Sequence, residues 1–319
     1  MIEDVLAQPQ QLGDALWRAQ SAGIPKKDRP GGLIVCGMGG SAIGGDLAAA
    51  ALGDRATRPV TTVRGYALES WTGPDSLVLC ASYSGNTEET LACFEAAGAA
   101  GAGRVVITTG GKLAELARAD GVPVIGVPSG MQPRAAVVYM VVGVLECAAL
   151  CGAAPGVHSE IDAAAELLAT ITPEDAPAEA LHETIPIVHG AGPTVAVARR
   201  WKTQINENAK AGAFWSELPE ANHNEICAWE RSSGFSAIFL EDPDQHPRVQ
   251  RRIDLTLAEA EASGATALRV PARGDSRLER VLSLVMLGDL LSVRLAELYG
   301  VDPTPVEAIE RFKGALGKP

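Results

Sequence analysis

The chain has 319 residues, of which 47% are hydrophobic, 21% charged and only 4% aromatic. A single core is typically built from roughly 100 to 200 residues, so this length suits two domains or one large one, packed through small side chains rather than aromatic anchors. The formal net charge of -12 argues against nucleic acid as a partner, because phosphate backbones are held by clustered Lys and Arg; an anionic ligand has to be gripped locally.

The opening Met-Ile-Glu-Asp-Val-Leu has neither the basic segment nor the apolar run of a secretory signal. No uninterrupted apolar stretch reaches the ~18 residues of a membrane span. The expectation is a cytoplasmic protein that does not engage membranes. The six cysteines, Cys36, Cys80, Cys93, Cys147, Cys151 and Cys227, show no C-x-x-C spacing and read as reduced core thiols.

Residues 1–30 carry apolar positions at helical spacing (Val5, Leu6, Leu12, Leu16, Trp17) and are predicted as one N-terminal helix. Short apolar runs then recur at 33–36, 60–63, 77–81, 105–107 and 124–127, too apolar for exposed elements and therefore read as buried parallel strands. Helical patterns at 41–52, 87–98, 112–120 and 134–150 separate them. Such alternation predicts a doubly wound α/β subdomain over 31–152. A linker helix is expected over 153–180. The opening plan then repeats: Ile185 to Thr194 carries strand, Gly-x-Gly and hydroxyl, as Leu33 to Ser41 does. This predicts a second α/β subdomain over 181–319, with further strands at 236–240 and 267–270 and helices at 247–262 and 276–299. The Leu/Val stripe of the last helix is assigned to core or to a subunit interface. Thr304, Pro305 and Glu307 look like an N-cap, a first-turn proline and a capping-box acid ahead of a short helix bearing Lys313.

Three segments carry candidate chemistry. The turn Gly37-Met38-Gly39-Gly40-Ser41 begins a G-x-G-x-x-G spacing, but Val63-Arg64-Gly65 stands where a dinucleotide fold needs an acid for the ribose. Ser82-Tyr83-Ser84-Gly85-Asn86-Thr87 places three hydroxyls around a glycine at a helix start, where free amides and the helix dipole favour an anion. Ordinary capping by Asn86 with Glu89 explains one such residue; Ser82, Ser84 and Thr87 are surplus to it. Residues 199–225 hold Asn206-Glu207-Asn208 and Asn222-His223-Asn224, a carboxylate and an imidazole flanked by amides that can orient them without neutralising them. Arg134 follows Pro133 at a helix start, where a fixed cation can face a developing anion. No third partner has sensible spacing to His223 and Glu225, so no metal and no other cofactor is expected.

The Gly-Gly-Ser turn, Ser-Tyr-Ser-Gly-Asn-Thr and the repeated α/β plan resemble the sugar isomerase (SIS) fold. The blocks Asn206 to Lys210 and Glu220 to Glu225, with Lys313, resemble the bifunctional phosphoglucose/phosphomannose isomerases. That resemblance, which runs from about Gly31 to Lys313, implies two SIS-type subdomains and an aldose-ketose isomerase acting on hexose 6-phosphates through a cis-enediol, without a metal. It implies Glu207 as the base and Arg134 as the cation facing the enediolate. His223 and Lys313 would assist ring opening, and Gly40, Ser41, Ser82, Ser84 and Thr87 would bind the phosphate. It also implies a homodimer in which His223 is donated across the interface. Two other readings stay open: a non-catalytic phosphosugar sensor, and an amidotransferase-type isomerase domain, the latter disfavoured because no glutaminase domain is present.

Overall fold

A strand covered on both sheet faces needs no polar residues, so continuous apolar runs become inner strands. In the computed structural model, which describes residues 1–317, the chain opens with α1 (Ile2–Leu6) and α2 (Gln8–Ser21). The one helix expected there is two, broken at Ala7, with Pro9 in the first turn of the second, a position that tolerates the missing amide. Then follow β1 (Gly32–Cys36), α3 (Gly39–Leu52), β2 (Val60–Val63), β3 (Ser76–Ala81), α4 (Glu88–Ala99), β4 (Gly103–Thr108), α5 (Gly111–Ala119), β5 (Val124–Gly126) and α6 (Val137–Leu150). The five strands form a parallel sheet in the order β2-β1-β3-β4-β5. The order reverses between β1 and β3, where open α/β sheets bind ligands outside the carboxyl ends of their strands.

After α7 (His158–Leu168) the second unit runs β6 (Ile185–Gly190), α8 (Val195–Gln204), β7 (Phe214–Glu217), β8 (Phe235–Glu241), α9 (Pro247–Ala262), β9 (Thr266–Pro271), α10 (Arg277–Leu298) and α11 (Glu307–Leu316). Its parallel sheet has the order β7-β6-β8-β9. Sequence patterning missed β7, an edge strand whose Phe214 and Glu217 are exposed.

One apolar cluster joins both units, drawing on β1, α3, α6, α8 and α10. Helix α6 and its leading turn, Pro133–Leu150, are long and apolar enough to cross a membrane by composition, but the segment is 83% buried inside the protein; a helix apolar all round belongs in a core. The α10 stripe resolves the same way, since Leu278, Val281, Leu282, Val285, Leu287, Leu291 and Leu295 are buried within the one chain. Five cysteines are buried free thiols, whereas Cys227 is exposed, which corrects the expectation of a core thiol there: it lies in a short 3-10 segment, Glu225–Arg231, at the surface.

Candidate active site

The carboxyl end of β3 leads into the hydroxyl turn. Gly85 makes the turn possible, with φ +69° and the Gly110 carbonyl packed so close that a Cβ would lie 1.8 Å from its oxygen. Ser82 is buried; its hydroxyl shares a 2.8 Å hydrogen bond with that of Thr87 and accepts the Gly85 amide at 3.1 Å. Ser82 therefore braces Thr87 and does not line the cleft itself. Asn86 does not cap α4: its side-chain oxygen accepts the Lys112 amide at 3.0 Å in the first turn of α5. Neither α3 nor α4 has a side-chain cap, so both helices direct first-turn amides and the positive ends of their dipoles at the same place. Ser41 ties the two turns together by accepting the Tyr83 amide at 3.3 Å. Gly40 lets the Arg134 segment approach, since a Cβ there would sit 3.1 Å from the Pro133 carbonyl oxygen. Gly85→Ala is expected to destabilise the fold by about 1–3 kcal/mol, as for other residues forced into sparsely populated backbone regions, measured as a lower denaturant midpoint.

Arg134 enters from a 3-10 turn, Pro133–Ala136, and is only 3% exposed. Its Nε donates to Asn208 Oδ1 at 2.6 Å and its Nη1 to Gln132 Oε1 at 3.3 Å, while Nη2 donates to the carbonyls of Pro303 and Thr304. Glu207 Oε2 lies 3.5 Å from Nη1. Burial pulls the guanidinium below its usual pKa, and the Glu207 charge works against that. Behind it, Asn208 donates to Ser292 at 2.8 Å. The Arg134 carbonyl accepts from Arg200, whose side chain is paired with Asp289 on α10.

Glu207 owes its position to a π turn, Ile205–Ala209, at the end of α8; such turns recur at functional sites because the extra residue re-aims the side chains around it. The carboxylate stays part-exposed while Asn208 is fully buried. Lys313 arrives on α11. That helix begins later than its sequence suggests: the residue before it is Val306, with no side-chain cap. Thr304 does not serve as the cap because its amide is taken by Asp302 Oδ1 at 2.8 Å and its carbonyl by Arg134.

These parts meet in a cleft of about 330 Å³, lined by Gly40, Ser41, Ser84, Thr87, Arg134, Glu207 and Lys313 with Met38, Gly39, Tyr83, Glu89, Pro133, Val306 and Ile309. The volume falls within the range of small-molecule sites, about 300–1,000 Å³. His223 lies outside the cleft and is exposed on a 3-10 turn, Glu220–His223. Sequence reading missed Val306 and Ile309; the i-4 spacing of Ile309 from Lys313 puts those two on one face of α11, and Val306 stands just ahead of the helix. It also missed the work of Tyr83, whose hydroxyl donates to the Pro128 carbonyl at 3.1 Å and accepts the Met131 amide at 3.0 Å, linking the hydroxyl turn to the loop before Arg134. The obvious dinucleotide alternative gains nothing: Arg64 is ion-paired with Asp46.

The matching turn after β6 is closed. Thr194 bonds back to the Ala191 amide at 2.9 Å and donates to the Leu240 carbonyl at 3.1 Å, so no hydroxyl is left for a ligand. Beside it, His189 is buried against Glu225 with Nε2 to Oε1 at 2.8 Å. Burial pushes the Glu225 carboxyl up, but hydrogen bonds from His189 and Ser216 outweigh it and leave its pKa below the usual glutamate value.

The family model described as bacterial phospho-glucose isomerase C-terminal SIS domain matches residues 172–316. A solved structure with the same fold is the C-terminal domain of glucosamine-fructose-6-phosphate aminotransferase from Francisella tularensis, at TM-score 0.71 and 16% identity, covering 96% of this chain and 97% of that one. A D-glucosamine-6-phosphate 4-epimerase from Sulfolobus acidocaldarius is 31% identical over 74% of this chain and 74% of its own. Similarity is more extensive to a bifunctional phosphoglucose/phosphomannose isomerase from Caldicellulosiruptor bescii, 37% identical over 100% of this chain and 99% of that protein. By that full-length similarity the chain belongs to the bifunctional phosphoglucose/phosphomannose isomerase family and is an isomerase on the SIS fold.

Proposed function

We propose that the chain interconverts glucose 6-phosphate, and mannose 6-phosphate as well, with fructose 6-phosphate by proton transfer through a cis-enediol. The observation that carries this reading is the meeting of Glu207 and Arg134, 3.5 Å apart, on the wall of a cleft that the hydroxyl turn also lines. Ser41, Ser84, Thr87 and the Gly40 turn hold the 6-phosphate with neutral donors and helix amides, which suits a strongly acidic protein. Glu207 removes the proton from C2 of the open-chain aldose as electrons move onto the C1 carbonyl oxygen, which takes up a proton. It returns a proton to C1 while the C2 hydroxyl loses its own and becomes the carbonyl. Arg134 stabilises the negative charge between these steps. Lys313 and His223 serve ring opening by moving protons at O5 and O1. Glucose and mannose phosphates differ only at C2, so one base serves both if the C2-C3 bond can turn.

His223 reaches the site, in this reading, from a second copy of the chain. A second concavity of about 450 Å³ opens on Glu207 between Asn206, Lys210, Pro305, Val306 and Ile309, which supports room for a partner segment beside the base. The division into an N-terminal helical segment (1–30), a phosphosugar-binding SIS unit (31–152), a linker helix (153–180) and a second SIS unit (181–319) is part of the same proposal, as is a cytoplasmic setting, which the buried free thiols suit.

The test is conversion of each aldose phosphate by protein treated with a chelator, with products identified by NMR. Fructose 6-phosphate from both supports the reading; binding without turnover would mean a sensor, and a C4 epimer would mean the epimerase chemistry. The shared site has its own measurement. Mixed dimers of Glu207→Gln and His223→Ala chains contain one site with both residues intact and are expected to regain up to about half of wild-type activity, if catalytic groups act as units. No recovery on mixing would place His223 in its own subunit's site or outside catalysis.

A further inference from the structure

Lys210 closes the π turn that carries Glu207. It adopts the left-handed conformation, φ 55°, where Gly or Asn ordinarily ends a helix because a larger side chain is disfavoured. Its ammonium folds back over the helix end and donates to the Glu207 carbonyl at 2.6 Å, with the Asn208 carbonyl at 3.5 Å. These are the oxygens a helix C-terminus leaves without amide partners. The same ammonium donates to the Pro303 carbonyl at 3.3 Å, which also accepts from Arg134. Residues 302–306 form the strap from α10 to α11, and α11 has no buried residue. Two cations, one from each sheet unit, thus grip a single carbonyl next to the base, and the helix bearing Lys313 hangs from that grip.

We infer that Lys210 is a positioning residue that aims Glu207 and clamps the 302–306 strap, so that base and Lys313 keep a fixed separation across the cleft. This rests on the proposed role of Glu207. Glycine would fit this left-handed position with less strain, but the lysine ammonium supplies three acceptors with a donor.

The experiment compares Lys210→Met, Lys210→Gly and Lys210→Arg in the full chain. Met and Gly are expected to lower kcat about 10- to 100-fold, the effect of a small misplacement of a catalytic group, while competitive inhibition by inorganic phosphate is unchanged. Amide hydrogen exchange across 301–309 should quicken, and Arg should restore both readouts in part. The Gly variant relieves backbone strain, so its loss of activity without loss of stability separates positioning from folding. Wild-type kcat and exchange in Lys210→Gly would overturn the inference, as would a fall in kcat with unchanged exchange and no rescue by Arg. Should Glu207→Gln prove fully active while strap exchange still quickens in Lys210→Met, the clamp stands and the assignment of the base fails.

Discussion

Glu207→Gln is expected to lower kcat for aldose-ketose conversion by about 10²- to 10⁴-fold, the contribution of a positioned general base. The substitution is nearly isosteric and removes only the charge. Arg134 keeps its acceptors on Gln132, Asn208, Pro303 and Thr304, so the guanidinium stays in place and the fold should hold. The hydroxyls of Ser82, Ser84 and Thr87 make no hydrogen bond to Glu207, so inhibition by inorganic phosphate should be unaltered. Steady-state kinetics with both aldose phosphates, alongside a thermal melt, make the measurement; undiminished turnover in a folded variant would remove Glu207 from its role.

Asp289→Ala should give the largest loss of stability, about 3–5 kcal/mol, because it strands a buried charge. Asp289 and Arg200 are each 1% exposed at the side chain. The carboxylate accepts from Arg200 Nε at 3.0 Å, from Arg200 Nη2 at 2.8 Å and from Gln8 at 2.8 Å, joining α2, α8 and α10. Without it the Arg200 guanidinium keeps only the Arg134 carbonyl, at 2.9 Å. Since that carbonyl belongs to the residue facing Glu207, activity should fall along with stability. Denaturant unfolding measures the first effect, and a loss below about 1 kcal/mol would mean the pair is no buried strut. The double variant Arg200→Met with Asp289→Leu is expected to recover much of the stability, because apolar residues of similar volume can replace a buried ion pair.

Inner strands β1, β3 and β8 were legible because burial on both faces writes itself as an uninterrupted apolar run. The long helices α9 and α10 were legible from periodicity, whereas the Ser276 and Glu279 capping box that starts α10 emerged from the structure. Strand β7 was not, since an edge strand of Phe214, Trp215, Ser216 and Glu217 shows neither a run nor a turn signal. The start of α11 was misread because Thr304, a good cap by type, spends its carbonyl on a guanidinium 170 positions away. Ser82 likewise looked like one more phosphate hydroxyl until packing turned it inward to Thr87.

The order of the inner strands and long helices, the clustering of hydroxyls at a helix start over residues 82–87 and the amide-flanked setting of Glu207 are local properties, carried by a few adjacent residues, and the sequence alone determined them. Which hydroxyls line the cleft, that the second Gly-x-Gly turn is closed, and that Arg134 meets Glu207 were decided only by tertiary structure. The cleft takes its walls from residues near 40, 85, 134, 207 and 310, and their separation is set by a shared core and by buried hydrogen bonds between distant segments, to which no short stretch of chain holds the key.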